Sequence, residues 1–394
     1  MNDPAPRHAR ARTGPGPGVT LGTVAVVVAV AVAAVGSWAL AHDDGDTSRT
    51  AGGPATTIEA VTATTPQTLP PTTATTAPPR DPVRGNGQPV TLAFAGDTHF
   101  EGALRSKLLA DPATVLAPVA PVLSSADVAV VNLETAVTER GVKQPKAFNF
   151  RAPASALDAL RAAGIDAASV ANNHGIDYGP DGLADTLAAR RAKSFPLIGV
   201  GADAGEAYAP WTTEVRGQRI AVFAASDVVD AAFLGTWPAT DTRPGLATAT
   251  DLDRLTGAVR AWRAKADTVV VFLHWGSERV GCPTGRQQEV ARALTEAGAD
   301  IVVGSHAHVL EGAGRMGGAF VAYGLGNFVF YNEKGENGRS GVLVVTATGR
   351  TVDSYRWVPA RIRGGVATPL PPGPGADAEV AHWHDLRACT GLTA

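Results

Sequence analysis

The sequence is short of sulfur, of aromatic rings and of excess charge. Its 394 residues include 2 cysteines and 2 methionines, aromatics make up 6%, and 34 basic against 37 acidic residues leave a net charge of -3. With no basic excess, nucleic acid is excluded as a partner, since that surface must be positive. The cysteines, Cys282 and Cys389, are too far apart in the chain for a zinc module, whose ligands come in closely spaced pairs. No repeat of fixed period runs through the chain, which excludes a solenoid or propeller. Charge is also missing locally: between Thr13 and Ala41 no residue is charged.

Within that uncharged stretch, residues 19–41 (VTLGTVAVVVAVAVAAVGSWALA) are almost wholly apolar. About 20 such residues span a bilayer as a helix. Residues 1–18 carry Arg7, Arg10 and Arg12, and Asp43, Asp44 and Asp46 follow the span. Basic residues before the span place the N-terminus in the cytoplasm and the body outside. The expectation is a single-pass signal anchor in the cell membrane; Ala39-Leu40-Ala41 also fits a signal-peptidase site, and cleavage after Ala41 would make the protein secreted. Residues 42–88 are rich in Thr, Pro and Ala, without apolar periodicity, and read as a disordered, extended tether. Outside the cytoplasm a disulfide persists, and a Cys282–Cys389 bridge would staple the C-terminal tail, residues 364–394, to the body.

Residues 89–363 read as one large α/β unit. Five apolar, strand-like runs each end in a carboxylate, an amide or an imidazole. The run 90–95 leads to Asp97 and His99, 127–131 to Asn132 and Glu134, and 166–171 to Asn172, Asn173 and His174. The run 268–273 leads to His274, and 299–303 to His306 and His308. Five of the nine histidines stand at these ends. Helical patterns separate most of the runs, with 155–163, 181–192, 251–266 and 287–297 the clearest. Strand–helix alternation gives an α/β fold, and in such sheets the site lies beyond the carboxyl ends of the strands. Later strands, near 320–331 and 342–347, have no helix between them and point to an antiparallel portion. His382-Trp383-His384 has no strand leading into it and reads as structural.

Asp, Glu, Asn and several His form a mixed oxygen and nitrogen donor set. It suits Mn, Zn or Fe better than Ca, which prefers oxygen alone. Seven candidate ligands (Asp97, His99, Glu134, Asn173, His274, His306 and His308) exceed the needs of one tetrahedral ion and suffice for two divalent ions. Paired ions a few ångströms apart serve hydrolysis, most naturally of a phosphoester.

The motifs Ala95-Gly96-Asp97-Thr98-His99, Val131-Asn132-Leu133-Glu134-Thr135, Ala171-Asn172-Asn173-His174-Gly175-Ile176-Asp177-Tyr178-Gly179, His274-Trp275-Gly276-Ser277-Glu278, Gly304-Ser305-His306-Ala307-His308-Val309 and Tyr323-Gly324-Leu325-Gly326-Asn327-Phe328 follow in order along residues 90–332. Together they resemble the CapA capsule-synthesis family, which is associated with poly-γ-glutamate and related to calcineurin-like metallophosphoesterases. The resemblance implies a four-layer α/β/β/α sandwich of the metallophosphoesterase kind. It implies a first metal on Asp97, His99 and His308, a second on Asn173, His274 and His306, and Glu134 at the bridging position, where phosphoesterases carry an aspartate. It makes His174 the catalytic proton donor rather than a ligand. Asn132, Arg151, Glu278 and Asn327 are expected to contact substrate or to support the ligands.

The resulting expectation is a membrane-anchored extracytoplasmic protein of capsule, poly-γ-glutamate or other envelope-polymer biosynthesis or export. It would be a metal-dependent hydrolase of a phosphoester or an amide, with an anionic polymer or phosphoester as substrate and a membrane polymer-synthase complex as partner. Two alternatives stand beside it: a non-catalytic polymer-binding accessory of the same fold, and an extracellular phosphatase unrelated to capsule.

Overall fold

The computed structural model describes residues 81–394. The basic start, the apolar run 19–41 and the tether up to residue 80 lie outside the described residues. Among the described residues no helix is long and apolar enough to cross a membrane.

Two mixed sheets face each other. The larger has eight strands in the order Asn327–Val329, Val366–Pro369, Thr351–Arg363, Arg339–Thr348, Val90–Thr98, Val128–Leu133, Ala167–Ser169 and Leu197–Ile198. The smaller has six, in the order Ala313–Met316, Ala319–Ala322, Ile301–Ser305, Thr268–His274, Gln218–Ser226 and Trp211–Val215. Neighbours from Val90–Thr98 to Leu197–Ile198, and from Ala319–Ala322 to Gln218–Ser226, are parallel. Strands covered on both faces read as unbroken apolar runs, and Thr268–His274 is buried at every residue. The late strands Arg339–Thr348 and Thr351–Arg363 form the expected antiparallel portion.

The apolar residues sort into layers. Phe94 and Val130 of the larger sheet meet Val222, Phe272 and Val303 of the smaller one. Their strand neighbours Ala93 and Val131 turn the other way, onto Leu104, Leu157, Leu160 and Leu187 of the helices Ala103–Ala110, Ser155–Ala162 and Gly179–Lys193. On the far side Phe223 and Val271 pack on Leu255, Val259, Val290 and Leu294 of Leu252–Trp262 and Gly285–Ala297. Period-two alternation thus gives each sheet one face for its partner sheet and one for helices. The order of layers is helix, sheet, sheet, helix.

Two expected boundaries move. Residues 81–88, assigned to the tether, belong to the body: Gln218 Nε2 donates to the carbonyls of Arg84 and Gln88 at 3.0 and 2.8 Å. Their Pro, Gly and Asn content encodes turns, whose carbonyls this buried side chain satisfies. The boundary at 363 cuts a hairpin, because Thr351–Arg363 turns at Gly364 and Gly365 (φ 58° and 84°) to pair with Val366–Pro369. The helix Pro374–Asp385 follows. Its Trp383 is buried in the intersheet core, stacked on Trp357 at 5.2 Å. His382 points to Glu336 at 3.7 Å, while His384 lies edge-on to Trp383, so this pair has a packing role.

Cys282 and Cys389 are bonded, with Cα atoms 5.8 Å apart across 107 residues of chain. Closing a loop of about 100 residues removes unfolded-state entropy worth about 4.7 kcal/mol, and the net stabilisation by such a bridge is typically about 2–4 kcal/mol. Replacing both by serine, or reducing the bond, is therefore expected to lower the thermal midpoint by roughly 5–10 °C. An unchanged midpoint in a calorimetric scan would show that the bridge adds nothing to stability.

Candidate metal centre

Strand register brings the distant residues to one level. Asp97 pairs across the sheet with Asn132 on one side and with Asn327 on the other. The register skips Gly96, a bulge of the kind that re-aims a side chain beside a site. A Cβ on Gly96 would lie 1.8 Å from the Gly326 carbonyl, which accepts the Asp97 amide at 2.9 Å. In the smaller sheet His274 pairs with Ser305, so His274 and His306 leave adjacent parallel strands together. Between Ala319–Ala322 and Asn327–Val329 the chain crosses from the smaller sheet to the larger. It thereby closes the site from the second side.

Glu134 stands at the centre. It has no exposure, and neither carboxylate oxygen has a hydrogen-bond partner. The Nε2 atoms of His274, His308 and His174 lie 3.5, 3.8 and 3.9 Å from its Oε1. Burial, then repulsion from Asp97, pushes its pKa well above the usual carboxylate range. Glu134, His306 and His308 bring one ligand atom each within 4.8 Å of one another, the one such group among the described residues. A buried carboxylate without donors, ringed by imidazoles, fits a divalent cation: the ion would supply the charge and the bonds that the protein withholds.

Around this group the polar atoms are matched. Asn132 Nδ2 donates to Asp97 Oδ1 at 2.8 Å and to His274 Nδ1 at 3.1 Å, while Asn132 Oδ1 accepts from Asn172 at 3.1 Å. His274 Nε2 then carries the proton and donates to Asn173 Oδ1 at 2.7 Å. To bind a cation through Nε2, His274 would move that proton to Nδ1, giving up the Asn132 bond there for one to Ser305 Oγ at 3.3 Å. His308 Nδ1 faces Asn327 Oδ1 at 2.9 Å and Asp97 Oδ2 at 3.1 Å, which leaves Nε2 for the cation. Histidine ligands held this way by a carboxylate are the rule at metal sites. Burial opposes charge on His308, but Glu134 and Asp97 outweigh it and push it up to about 10. Burial lowers His306 to about 4, and His308 adds to that effect. His306, His308 and Arg279 all have positive φ (95°, 56° and 62°). Non-glycine residues occupy that region rarely, and typically where function requires it. The Arg279 amide secures the turn by donating to Ala307 O at 2.7 Å.

Several expected roles change. Asp97, assigned as a ligand, uses both oxygens on protein donors, since Oδ2 also accepts the His306 amide at 3.2 Å. It orients the others and is not in the three-residue group. His99 stands apart in an aromatic layer, 4.1 Å from the Phe330 ring and 4.7 Å from those of Phe150 and Tyr331. Its Nδ1 accepts the Glu101 amide at 3.1 Å, which puts the proton on the buried, unpartnered Nε2. Holding a cation there would require that amide bond to break. Arg151 turns away, its guanidinium on the Glu139 carbonyl and over the Tyr178 ring. Glu278 is exposed on the loop after Thr268–His274. Asn327 bonds His308, and Asn132 bonds Asp97 and His274.

His174 joins the centre through an unforeseen partner. Its Nδ1 bonds Asp177 Oδ2 at 2.6 Å, and its ring stacks on Phe150 at 4.1 Å. Burial holds its pKa below the usual histidine value, against the pull of Asp177. Asp177, three residues along the same turn, was the readable signal. Behind the His306–His308 turn lies a second buried carboxyl, Glu311. One oxygen accepts from Gln287 at 2.9 Å and the other has no partner. Burial raises it to about 8, against the Gln287 bond.

Residues 91–332 match the family model described as bacterial capsule synthesis protein PGA_cap. Over 215 residues the chain is 34% identical to the PGA biosynthesis protein CapA of Bacillus subtilis (strain 168), covering 54% of this chain and 55% of that one. Over 219 residues it is 33% identical to the capsule biosynthesis protein CapA of Bacillus anthracis, covering 54% and 52%. The chain thus spans about half the length of the curated relatives it matches. Among solved structures, a hypothetical protein from Thermus thermophilus aligns at 18% identity and a TM-score of 0.43, over 69% of this chain and 100% of that one.

Two measurements check the electrostatics. Glu134→Gln is expected to raise the midpoint of metal-free protein by removing an uncompensated buried carboxylate. It should also abolish most of the stabilisation by saturating Mn2+, about 3 kcal/mol at a hundredfold excess over Kd. An equal Mn2+ shift in wild type and variant would remove Glu134 from the ligand set. Glu311 binds its proton more tightly folded than unfolded, so stability present below its ordinary value of 4.5 is lost as pH rises towards about 8. Denaturant titrations from pH 5 to 8.5 should show that decline, and Glu311→Gln should flatten it.

Proposed function

The chain belongs to the bacterial capsule synthesis protein family, and from that membership we propose that it serves the synthesis or export of poly-γ-glutamate or another anionic envelope polymer. In this reading its centre is a metal-dependent hydrolase site acting on a phosphoester or an amide. The observation that carries the reading is Glu134, buried with both oxygens free inside a ring of imidazoles. Glu134, His306 and His308 would hold one divalent cation (Mn, Zn or Fe), with His274 and Asn173 beside it to complete the shell or admit a second. When bound, such an ion supplies Lewis acidity at a phosphoryl or acyl oxygen.

The protein's own side chains then handle the proton. Asp177 keeps His174 Nδ1 protonated, which leaves Nε2 facing the centre, 3.9 Å from Glu134. From there Nε2 can take a proton from an attacking water and return it to a leaving oxygen or nitrogen. Phe150 covers the ring and limits access of water. Asn132 and Asn172 keep Asp97 and His274 from drifting.

The proposed setting is the outer face of the cell membrane, anchored by residues 19–41 and working with a membrane polymer synthase. The Cys282–Cys389 bond supports it, since disulfides persist outside the cytoplasm. A second reading is a polymer-binding accessory whose ion, held by Glu134, His306 and His308, is structural.

The deciding assay gives metal-loaded full chain a chromogenic phosphodiester and a γ-glutamyl polymer side by side. His174→Gln is expected to keep its metal and lose roughly 10²–10⁴ in kcat. His306→Ala/His308→Ala should lose both metal and turnover. Loaded wild type that cleaves neither substrate would sink the hydrolase and leave the accessory. For the anchor, fractionation should find the chain in membranes and extractable only by detergent. A soluble form beginning at residue 42 would show a cleaved signal instead.

A further inference from the structure

An ammonium is buried beside the centre on a stretch of chain without helix or strand. The Lys146 side chain is 10% exposed. Its Nζ lies 2.9 Å from Asp177 Oδ1, donates to the carbonyl of Asn173, stands 3.8 Å from Asp230 Oδ2 and lies 5.3 Å from the centre of the Trp237 ring. Asn173 and Asp177 are the two ends of the turn that leaves the larger sheet. Asp230 and Trp237 follow Gln218–Ser226 of the smaller one. Asp177 has no exposure, and its Oδ2 takes the His174 Nδ1 and Phe150 N–H bonds, both at 2.6 Å.

Burying a charge costs several kcal/mol, and an apolar side chain joins loops more cheaply. Lys146 does what no apolar residue can. It donates to the Asn173 carbonyl at one end of the turn and ion-pairs with Asp177 at the other, and so fixes the turn's width. It also supplies the countercharge that lets a fully buried Asp177 hold His174 by Nδ1. That turn carries Asn173, whose Oδ1 is 2.7 Å from His274 Nε2, and His174, whose Nε2 looks at Glu134.

We propose that Lys146 is a positioning residue of the centre: bridging Asn173 and Asp177, its ammonium sets where the Asn173 amide and the His174 ring stand relative to a cation on Glu134, His306 and His308. The proposal rests on the metal-centre reading above.

The test compares the full chain with Lys146→Met, and with Lys146→Arg as the charge-keeping control, using Co2+ as a spectroscopic probe. Lys146→Met should unfold cooperatively, bind Co2+ about tenfold more weakly and show an altered visible absorption spectrum. Lys146→Arg should move both back towards wild type. Wild-type Co2+ affinity and spectrum in Lys146→Met would overturn the proposal. A second readout needs no metal: imidazole ¹⁵N spectra, with His174 identified through His174→Gln. Wild type should show His174 held with its proton on Nδ1, and Lys146→Met should populate both tautomers. An unchanged tautomer overturns the positioning role whether or not Co2+ binds. Wild type that takes up no Co2+ sinks the metal reading separately. Should Lys146→Met fail to fold, Lys146→Gln, which keeps a donor for the Asn173 carbonyl without the charge, replaces it in both arms.

Discussion

A carboxylate that is fully buried and hydrogen-bonded to nothing is the constraint on which the rest of this structure turns. Glu134 is fully buried and neither of its oxygens accepts a hydrogen bond from the protein, and desolvating such a group costs several kcal/mol. The nearby His308 cation offsets part of that, but its Nδ1 is already committed to Asp97 and Asn327. The imidazoles of His274 and His306 are held neutral by burial, so they add donor atoms but no charge. The positive φ angles at His306 and His308, each costing of order 1–3 kcal/mol, add backbone strain at the same place.

The two-sheet architecture makes such a centre possible. Parallel strands end at the same side of a sheet, so consecutive strand–helix units deliver their polar termini to one line. Facing two sheets brings two such lines together. Asp97, Asn132 and Glu134 come from one, His274, Ser305 and His306 from the other. Where the chain passes from the smaller sheet to the larger, the Gly96–Gly326 approach lets the backbones come closer than side chains would allow. The frame is rigid because its strands are buried on both faces.

That frame explains what could be read from the sequence. A buried strand is an unbroken apolar run, and a polar residue at its end stands out in one dimension, so Glu134, Asn173, His274, His306 and His308 were all visible. Roles within the cluster were less visible. Asp97 looked like a ligand, but its oxygens accept from Asn132 on the neighbouring strand and from the His306 amide beyond the end of the other sheet. His99 follows it by two residues, yet its ring is captured by Phe150 and Phe330, residues 51 and 231 positions away in the chain. Arg151 lies in the matched region but spends its guanidinium on Glu139 and Tyr178. Lys146 sits among residues with no periodicity at all, and its importance comes entirely from partners at 173, 177 and 230. The tail misled for the same reason: its Pro and Gly content hid a hairpin and a helix that bury Trp383.

The tail also ties the covalent structure to the chemistry. The loop after His274 is held at two points. Arg279 N–H bonds the carbonyl between the two histidines of the strained turn, and Cys282 is bonded to Cys389. Cys389 in turn follows a helix whose Trp383 is wedged between the sheets. A positive-φ turn persists only where its surroundings over-determine it. Here the surroundings include a bond that only an oxidising compartment maintains. The His306–His308 turn is therefore braced from the intersheet core through the C-terminal helix, the disulfide and the Arg279 amide.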